Sequence, residues 1–177
     1  MNEKLRSVAK KVYAHTPLCV FFIVFVLFAY IAWCSPLVSD DLQFAGYGFT
    51  TLRELAHFSL NYGNGRLLGN LLSGILSNNR VLYSLVSGFC TAVIAVMIPK
   101  AAGAENNVSY LLSALFLILC SSEMFSQVYT WTCGFSNYVP PVAIALTVVY
   151  LVLNYNKVST PPKKKSESEK YLRFYAV

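Results

Sequence analysis

The chain has 177 residues, of which 56% are hydrophobic, 15% aromatic and only 12% charged. A soluble domain carries about 25% charged residues, so a soluble globule is excluded, and the apolar, aromatic content excludes a disordered chain. The net charge of +6 does not point to nucleic acid, because the lysines flank hydrophobic runs, where topology signals belong.

In chain order, the first predicted element is a membrane span over about 17–35, inside a charge-free stretch from Thr16 to Ser39. A span needs about 20 apolar residues. A cleaved signal peptide does not fit, since the apolar run is too long and Ala32-Trp33-Cys34 has no small-x-small site. Trp33 likewise disfavours lipid attachment at Cys34. An outer loop over 36–80 follows. Thr51-Leu52-Arg53-Glu54 reads as a capping box, opening a helix that runs to about Tyr62 and stops at Gly63. Leu52, Leu55, Phe58 and Leu60 give it an apolar side suited to the membrane surface. Asn64-Gly65 is a turn dipeptide, and Arg66 follows it. Leu67 to Leu76 is too short to span. It reads as a second interfacial piece, or as an outward extension of the next span kinked near Ser77-Asn78-Asn79.

Further spans are predicted over 81–99, 107–125 and 139–156. The third reaches its length only with Glu123 at the interface. The fourth is expected to start with Pro140 and Pro141, where a missing N–H costs nothing. Residues 157–177 form a basic, period-free tail that reads as the middle of a cytoplasmic loop. The expected fold is therefore all-α and membrane-integral. Four transmembrane helices form a single domain over 1–156, with one or two interfacial helices in the first outer loop.

Of the 14 Lys and Arg residues, all but Arg53, Arg66 and Arg80 then fall on one side. The positive-inside rule makes that side, and both termini, cytoplasmic. Asn107-Val108-Ser109 matches a glycosylation sequon but falls in a cytoplasmic turn. No C-x-x-C pair appears among the five cysteines, so no zinc or redox motif is indicated. Cys34, Cys120 and Cys133 lie toward the outer side, where one disulfide among them is open.

Three groups of residues could carry chemistry. Asp40 and Asp41, just past the first span, suit general-base work or a divalent cation held with a phosphate. They equally suit a helix N-cap built on Ser39-Asp40-Asp41. Arg66 could grip a phosphate bidentately, or snorkel to lipid headgroups. Tyr129, Trp131, Gly134, Asn137, Tyr138 and Pro140 could form a sugar-binding surface, or an aromatic belt at the interface. His15 and His57 have no metal-ligand partner at useful spacing. A transporter is disfavoured, because the spans hold no ionisable residue.

Ser39-Asp40-Asp41 after the first span, the helix from Leu52 to Tyr62, Asn64-Gly65-Arg66, and Trp131, Gly134, Asn137, Tyr138 and Pro140 together resemble the amino-terminal part of a polytopic GT-C-type glycosyltransferase. The resemblance is nearest to bacterial O-antigen glucosyltransferase-like and related membrane proteins, and it covers about residues 10–155. It implies a bacterial plasma-membrane enzyme that takes a sugar from a polyprenyl-phosphate donor on the outer face. Asp40 and Asp41 would be base and possible Mg or Mn ligands, Arg66 would hold the donor phosphate, and Asn64, Trp131, Asn137 and Tyr138 would meet sugar or acceptor. Family members are longer, so this chain is expected to be the front part of a longer product, a truncated relic, or a small protein built on that front part. The competing expectation is a non-catalytic four-helix accessory or assembly subunit bound to a larger membrane protein.

Overall fold

The computed structural model describes residues 3–48, 51–61 and 65–159, with side-chain surroundings given only within 15–155. Tyr62, Gly63, Asn64 and residues 160–177, which include most of the predicted basic tail, lie outside the described residues. Among the described residues every regular element is helical. They are α1 (Glu3–Cys34), α2 (Asp40–Gly46), α3 (Leu52–Asn61), α4 (Leu67–Ser77), α5 (Arg80–Ala101), α6 (Asn107–Ile118), α7 (Ser122–Phe125), a π turn over Ser126–Thr130, and α8 (Thr132–Ser159).

Three helical stretches are long and apolar enough to cross a bilayer: His15–Cys34, Arg80–Ala101 and Thr132–Tyr155, with 20, 22 and 24 residues. At 1.5 Å per residue they measure about 30–36 Å, against a hydrocarbon core about 30 Å thick. The all-α membrane architecture follows, and these stretches cover three of the expected spans. The expected third span, 107–125, departs from a straight crossing. Asn107–Ile118 and Ser122–Thr130 meet at 86°. Ser121 caps the second piece by accepting from the Met124 amide, so the chain turns where serine competes with the helix for backbone bonds.

The fourth helix also departs from expectation, starting at Thr132 rather than near Val139. Pro140 and Pro141 therefore lie inside it. Each proline removes one bond to the carbonyl four residues back, here those of Ser136 and Asn137. The proline pair sits in its third turn, with a long apolar run after it.

α1 and α5 are the central pair. Val20, Val24, Phe28 and Ala32, four residues apart on α1, are all buried, while Phe22, Ile23, Val26 and Tyr30 are exposed, as a lipid-facing side would be. α5 turns small residues to α1. A Cβ at Gly88 would meet the Phe25 carbonyl oxygen and come 3.0 Å from the Ala29 Cβ. Within lipid such close backbone approach, not hydrophobic burial, holds helices together. Asn79 caps α5 by accepting from the Leu82 amide at 3.0 Å. Arg80 donates through Nε (2.9 Å) and Nη2 to the Trp33 carbonyl, satisfying a carbonyl that the end of α1 leaves open.

These bonds set the relative direction of the long helices. The start of α5 lies at the Cys34 end of α1. The start of α8 lies there too, because Tyr83 donates to the Tyr129 carbonyl at 2.9 Å and Asp41 bonds α8 directly. The far ends of α5 and α8 also meet, with Lys100 Nζ 5.5 Å over the Tyr150 ring, a cation–π contact. α5 and α8 thus run parallel to each other and antiparallel to α1.

The N-cap of the predicted capping box is present, as Thr51 Oγ1 accepts from the Glu54 amide at 3.2 Å. α4 ends at Ser77 and α5 begins at Arg80, with the break at Asn78 and Asn79 where the sequence placed a kink. Gly74 of α4 lies against Leu55 of α3. All five cysteines are free, and the open disulfide among Cys34, Cys120 and Cys133 does not form.

Candidate functional site

The polar chemistry gathers at the Cys34 end, where α2, α4, α5 and α8 converge. Its centre is Asp41, which is 0% exposed. The carboxylate comes from the first turn of α2, yet it caps α8. Its Oδ2 accepts from the Thr132 amide at 3.0 Å and its Oδ1 from the Cys133 amide at 2.9 Å. The local sequence explains the arrangement. Trp131 holds the N-cap position of α8 in an extended conformation, and an indole has no acceptor to offer the orphan amides. A carboxylate 91 residues away in sequence takes that role, favoured further by the positive end of the helix.

The N-cap expected on Ser39-Asp40-Asp41 is therefore corrected in part. Ser39 does hold the N-cap position of α2, but at φ 50° and with no capping bond from its side chain. The cap built from this motif serves α8 instead. Positive φ is uncommon for serine; here it directs the chain so that the next two residues diverge. Asp41 turns inward, while Asp40 stays half-exposed, with the Ser39 hydroxyl 3.4 Å from its Oδ1. The Cys133 thiol lies beside Asp41 and Ser73, and Ser73 is itself bonded to the Gly69 carbonyl at 2.8 Å.

Beside this junction is a cleft of about 470 Å³ between the start of α4 and the second to fourth turns of α8. Arg66, Gly69, Ser136, Asn137, Pro140 and Ile144 are among its lining residues. Gly69 lets the two helices approach, since a Cβ there would collide with Asn137 Oδ1. Asn137 Nδ2 donates to the Cys133 carbonyl at 2.7 Å, which fixes the amide against α4. Arg66 occupies the N-cap position of α4. A guanidinium cannot accept a bond from the amides of the first turn, and Leu67, Leu68 and Gly69, which carry those amides, line the cleft. Opposite them stand Ser136, Asn137, Pro140 and Pro141. The cleft wall is mostly apolar, with Arg66 on the α4 side and Asn137 on the α8 side.

Of the residues singled out from sequence, Arg66 and Asn137 come together in the cleft, with Pro140. Asp40 and Asp41 are not among its lining residues. Tyr138 is exposed and does not line it. Trp131 is half-buried, its ring 2.9 Å from where a Cβ on Gly134 would stand, so its close contact is with its own helix start. Asn64 lies outside the described residues.

Both Asp41 oxygens face backbone N–H groups, and no group of three metal-ligating acidic, His or Cys side chains gathers among the described residues. The sequence reading missed Gly69, Ser73, Tyr83, Thr132 and Cys133. Gly69 and Ser73 form a small-xxx-small pair, a helix-approach signal that was legible in α4. The Asp41–Thr132 pairing left no local trace. No family model, curated protein or solved structure matches this chain.

Proposed function

We propose that this chain is the donor-gripping part of a GT-C-type membrane glycosyltransferase, which transfers a sugar from a polyprenyl-phosphate donor to an acceptor on the outer face of a bacterial plasma membrane. The observation that carries the reading is the cleft that joins Arg66 of α4 to Asn137 of α8. A phosphate set against Arg66 and the first-turn amides of α4 would meet charge and donors together. Sugar hydroxyls would meet Asn137 on the α8 side. Neutralising the leaving phosphate is half of what transfer from a phospho-sugar requires. A carboxylate base for the acceptor hydroxyl is the other half, and Asp40 is the candidate. Asp41 is a positioning residue that fastens α2, and with it Asp40, to the head of α8.

In this reading the bent pair α6 and α7 is one broken span, which makes four crossings. The Cys34 end faces outward, because Lys4, Arg6, Lys10 and Lys11 in the first turns of α1, Lys100 in the last turn of α5 and Lys157 near the end of α8 all lie at the opposite end.

The test is transfer from a radiolabelled polyprenyl-phosphate sugar by membranes carrying the natural gene product. Asp40→Asn is expected to lower the rate at least about 100-fold, in the range of a lost general base, and Arg66→Ala to raise KM for the donor. Unchanged kinetics in both variants refutes the assignment. A second reading, the non-catalytic assembly subunit, is favoured by one observation: Asp41, the more deeply held carboxylate, is engaged in holding the fold. It predicts no transfer by the chain and co-purification with a larger membrane protein.

A further inference from the structure

The apolar belt of the bundle is not equally tall on every side. The long stretches in α1, α5 and α8 have 20, 22 and 24 residues, about 30–36 Å at 1.5 Å per residue. On the α6 side the belt is shorter. Val108, Leu111, Leu112, Leu115, Phe116 and Leu119 are exposed there, the last two at 74% and 76%. They cover about 18 Å of helix. Beyond them Ser121, Ser122, Glu123, Ser126 and Gln127 are all exposed. Met124 is the one large apolar side chain exposed among them.

Two distances place this polar elbow inside the hydrocarbon. α6 starts level with the Lys100 end of α5, since the Ala104 amide bonds the Pro99 carbonyl at 2.9 Å and the Asn106 amide bonds the Ala104 carbonyl at 2.8 Å. From that level the 12 residues of α6 fall short of the 22 of α5 by about 15 Å. From the outer end, the Phe125 ring lies 5.9 Å from the Phe28 ring. Phe28 stands six residues before Cys34, about 9 Å below it.

A carboxylate and serine hydroxyls at that depth would exchange hydration for lipid tails. Snorkelling is open to long side chains but not to serine. A bilayer thins locally where it meets an apolar stretch shorter than its own core. We infer that the outer leaflet is thinned on the α6 side, so that lipid headgroups and water descend to Ser121, Ser122 and Glu123. The partner of this surface is the bilayer itself. Headgroups meet a polar shelf on the broken span, and tails meet only the face of α6 beneath it. Five polar side chains spread around a bend of 86° suit a hydrated headgroup layer rather than one complementary residue of another protein. The shelf shares no residue with the Arg66 cleft and does not rest on the transferase reading.

The test places a bimane on a single cysteine at Ser122, Glu123 or Val26 in the full chain otherwise free of cysteine, reconstituted in dioleoylphosphatidylcholine vesicles. Val26 is the control. It is exposed and stands eight residues before Cys34, about 12 Å below it, level with the elbow but on a long apolar stretch. A lipid with a nitroxide on its headgroup is expected to quench Ser122 and Glu123 at least about fivefold more than Val26, as thinning requires. A lipid with the nitroxide deep in its acyl chain is expected to reverse that order. Equal quenching of Ser122 and Val26 by the acyl-chain nitroxide puts the elbow in hydrocarbon and overturns the thinning. Protection of both elbow positions from either lipid and from aqueous iodide marks a protein cover, such as a second copy, and overturns it too. So does quenching by iodide without headgroup quenching, which marks a recess that holds water but no lipid.

Discussion

Asp41 offers the sharpest test, because its bonding predicts a structural cost before any chemistry is considered. Each of its two charge-assisted hydrogen bonds contributes about 1.5–3 kcal/mol, and a lost N-cap alone costs about 0.5–2 kcal/mol. Asp41→Ala leaves two amides without an acceptor in a fully buried place. Since such contributions are not additive, a cost of about 3–5 kcal/mol is expected, like that of breaking a buried charged pair. Asp41→Asn keeps one acceptor, drops the charge at the positive end of α8 and turns an NH2 toward the second amide, for about 2–4 kcal/mol. At about 2–4 °C per kcal/mol for a chain of this size, the alanine variant melts about 6–20 °C lower. The assay is thermal or SDS-driven unfolding in matched detergent micelles, with hydrogen exchange at the Thr132 and Cys133 amides accelerating in both variants. If both stay within about 0.5 kcal/mol of the parent, the range of neutral surface changes, the capping argument fails. Loss of sugar transfer in Asp41→Asn with stability intact would return the residue to the chemistry.

Other substitutions test the close approaches. Gly69→Ala forces a Cβ onto Asn137 Oδ1 and is expected to cost about 1–3 kcal/mol; adding Asn137→Ala should recover most of it, and a coupling under about 0.5 kcal/mol in that cycle refutes the contact. Gly88→Leu meets the immovable Phe25 carbonyl, so the α1–α5 pair should loosen and protease sensitivity rise, with no rescue from side-chain trimming at Ala29. Ser87→Ala should be neutral or stabilising in the same unfolding assay, because its buried hydroxyl has no partner among the described residues and an unpaired polar group is a cost. An impermeant maleimide should label exposed Cys34 from the outer side and leave buried Cys133 unlabelled.

What was legible in the sequence follows the range of each interaction. The spans are properties of contiguous composition, so three were placed from it to within a few residues, except where α8 begins early. That start was hidden because Thr132 to Tyr138 is polar and aromatic and followed by two prolines. Nothing local makes it helical, and its first amides are satisfied by Asp41 from the far side of the chain. Likewise the acidic pair was legible as a pair, but not its division of labour. Only the turn at Ser39 and the position of Trp131 decide that Asp41 is buried and Asp40 is not. Arg66 and Asn137 were both singled out, yet their meeting depends on Gly69 being small, a feature of helix contact rather than of either motif.

The broken third span carries the last prediction. α6 has 12 residues, about 18 Å at 1.5 Å per residue, too short to cross alone. A re-entrant loop would return both ends of the bent pair to one side. Its contacts argue the opposite. Tyr110, in the first turn of α6, lies near Tyr150, which also faces Lys100, whereas Tyr129 at the other end of the pair receives the Tyr83 hydroxyl beside the start of α5. The pair therefore climbs the whole length of α5. The bend need not leave bare backbone in lipid, which tolerates none. The Phe125 amide bonds the Ser121 carbonyl at 2.8 Å, and the Leu119 amide bonds the Leu115 carbonyl at 2.8 Å. Single cysteines replacing Glu105 and Ser122, both exposed, in a chain otherwise free of cysteine should be labelled by an impermeant reagent from opposite sides of sealed vesicles, with 122 on the side that labels Cys34 in the parent. Labelling of both positions from the Lys100 side would make the pair re-entrant. It would leave only three crossings and put the start of α8 at the Lys100 end, against its bonds to Asp41 beside the end of α1.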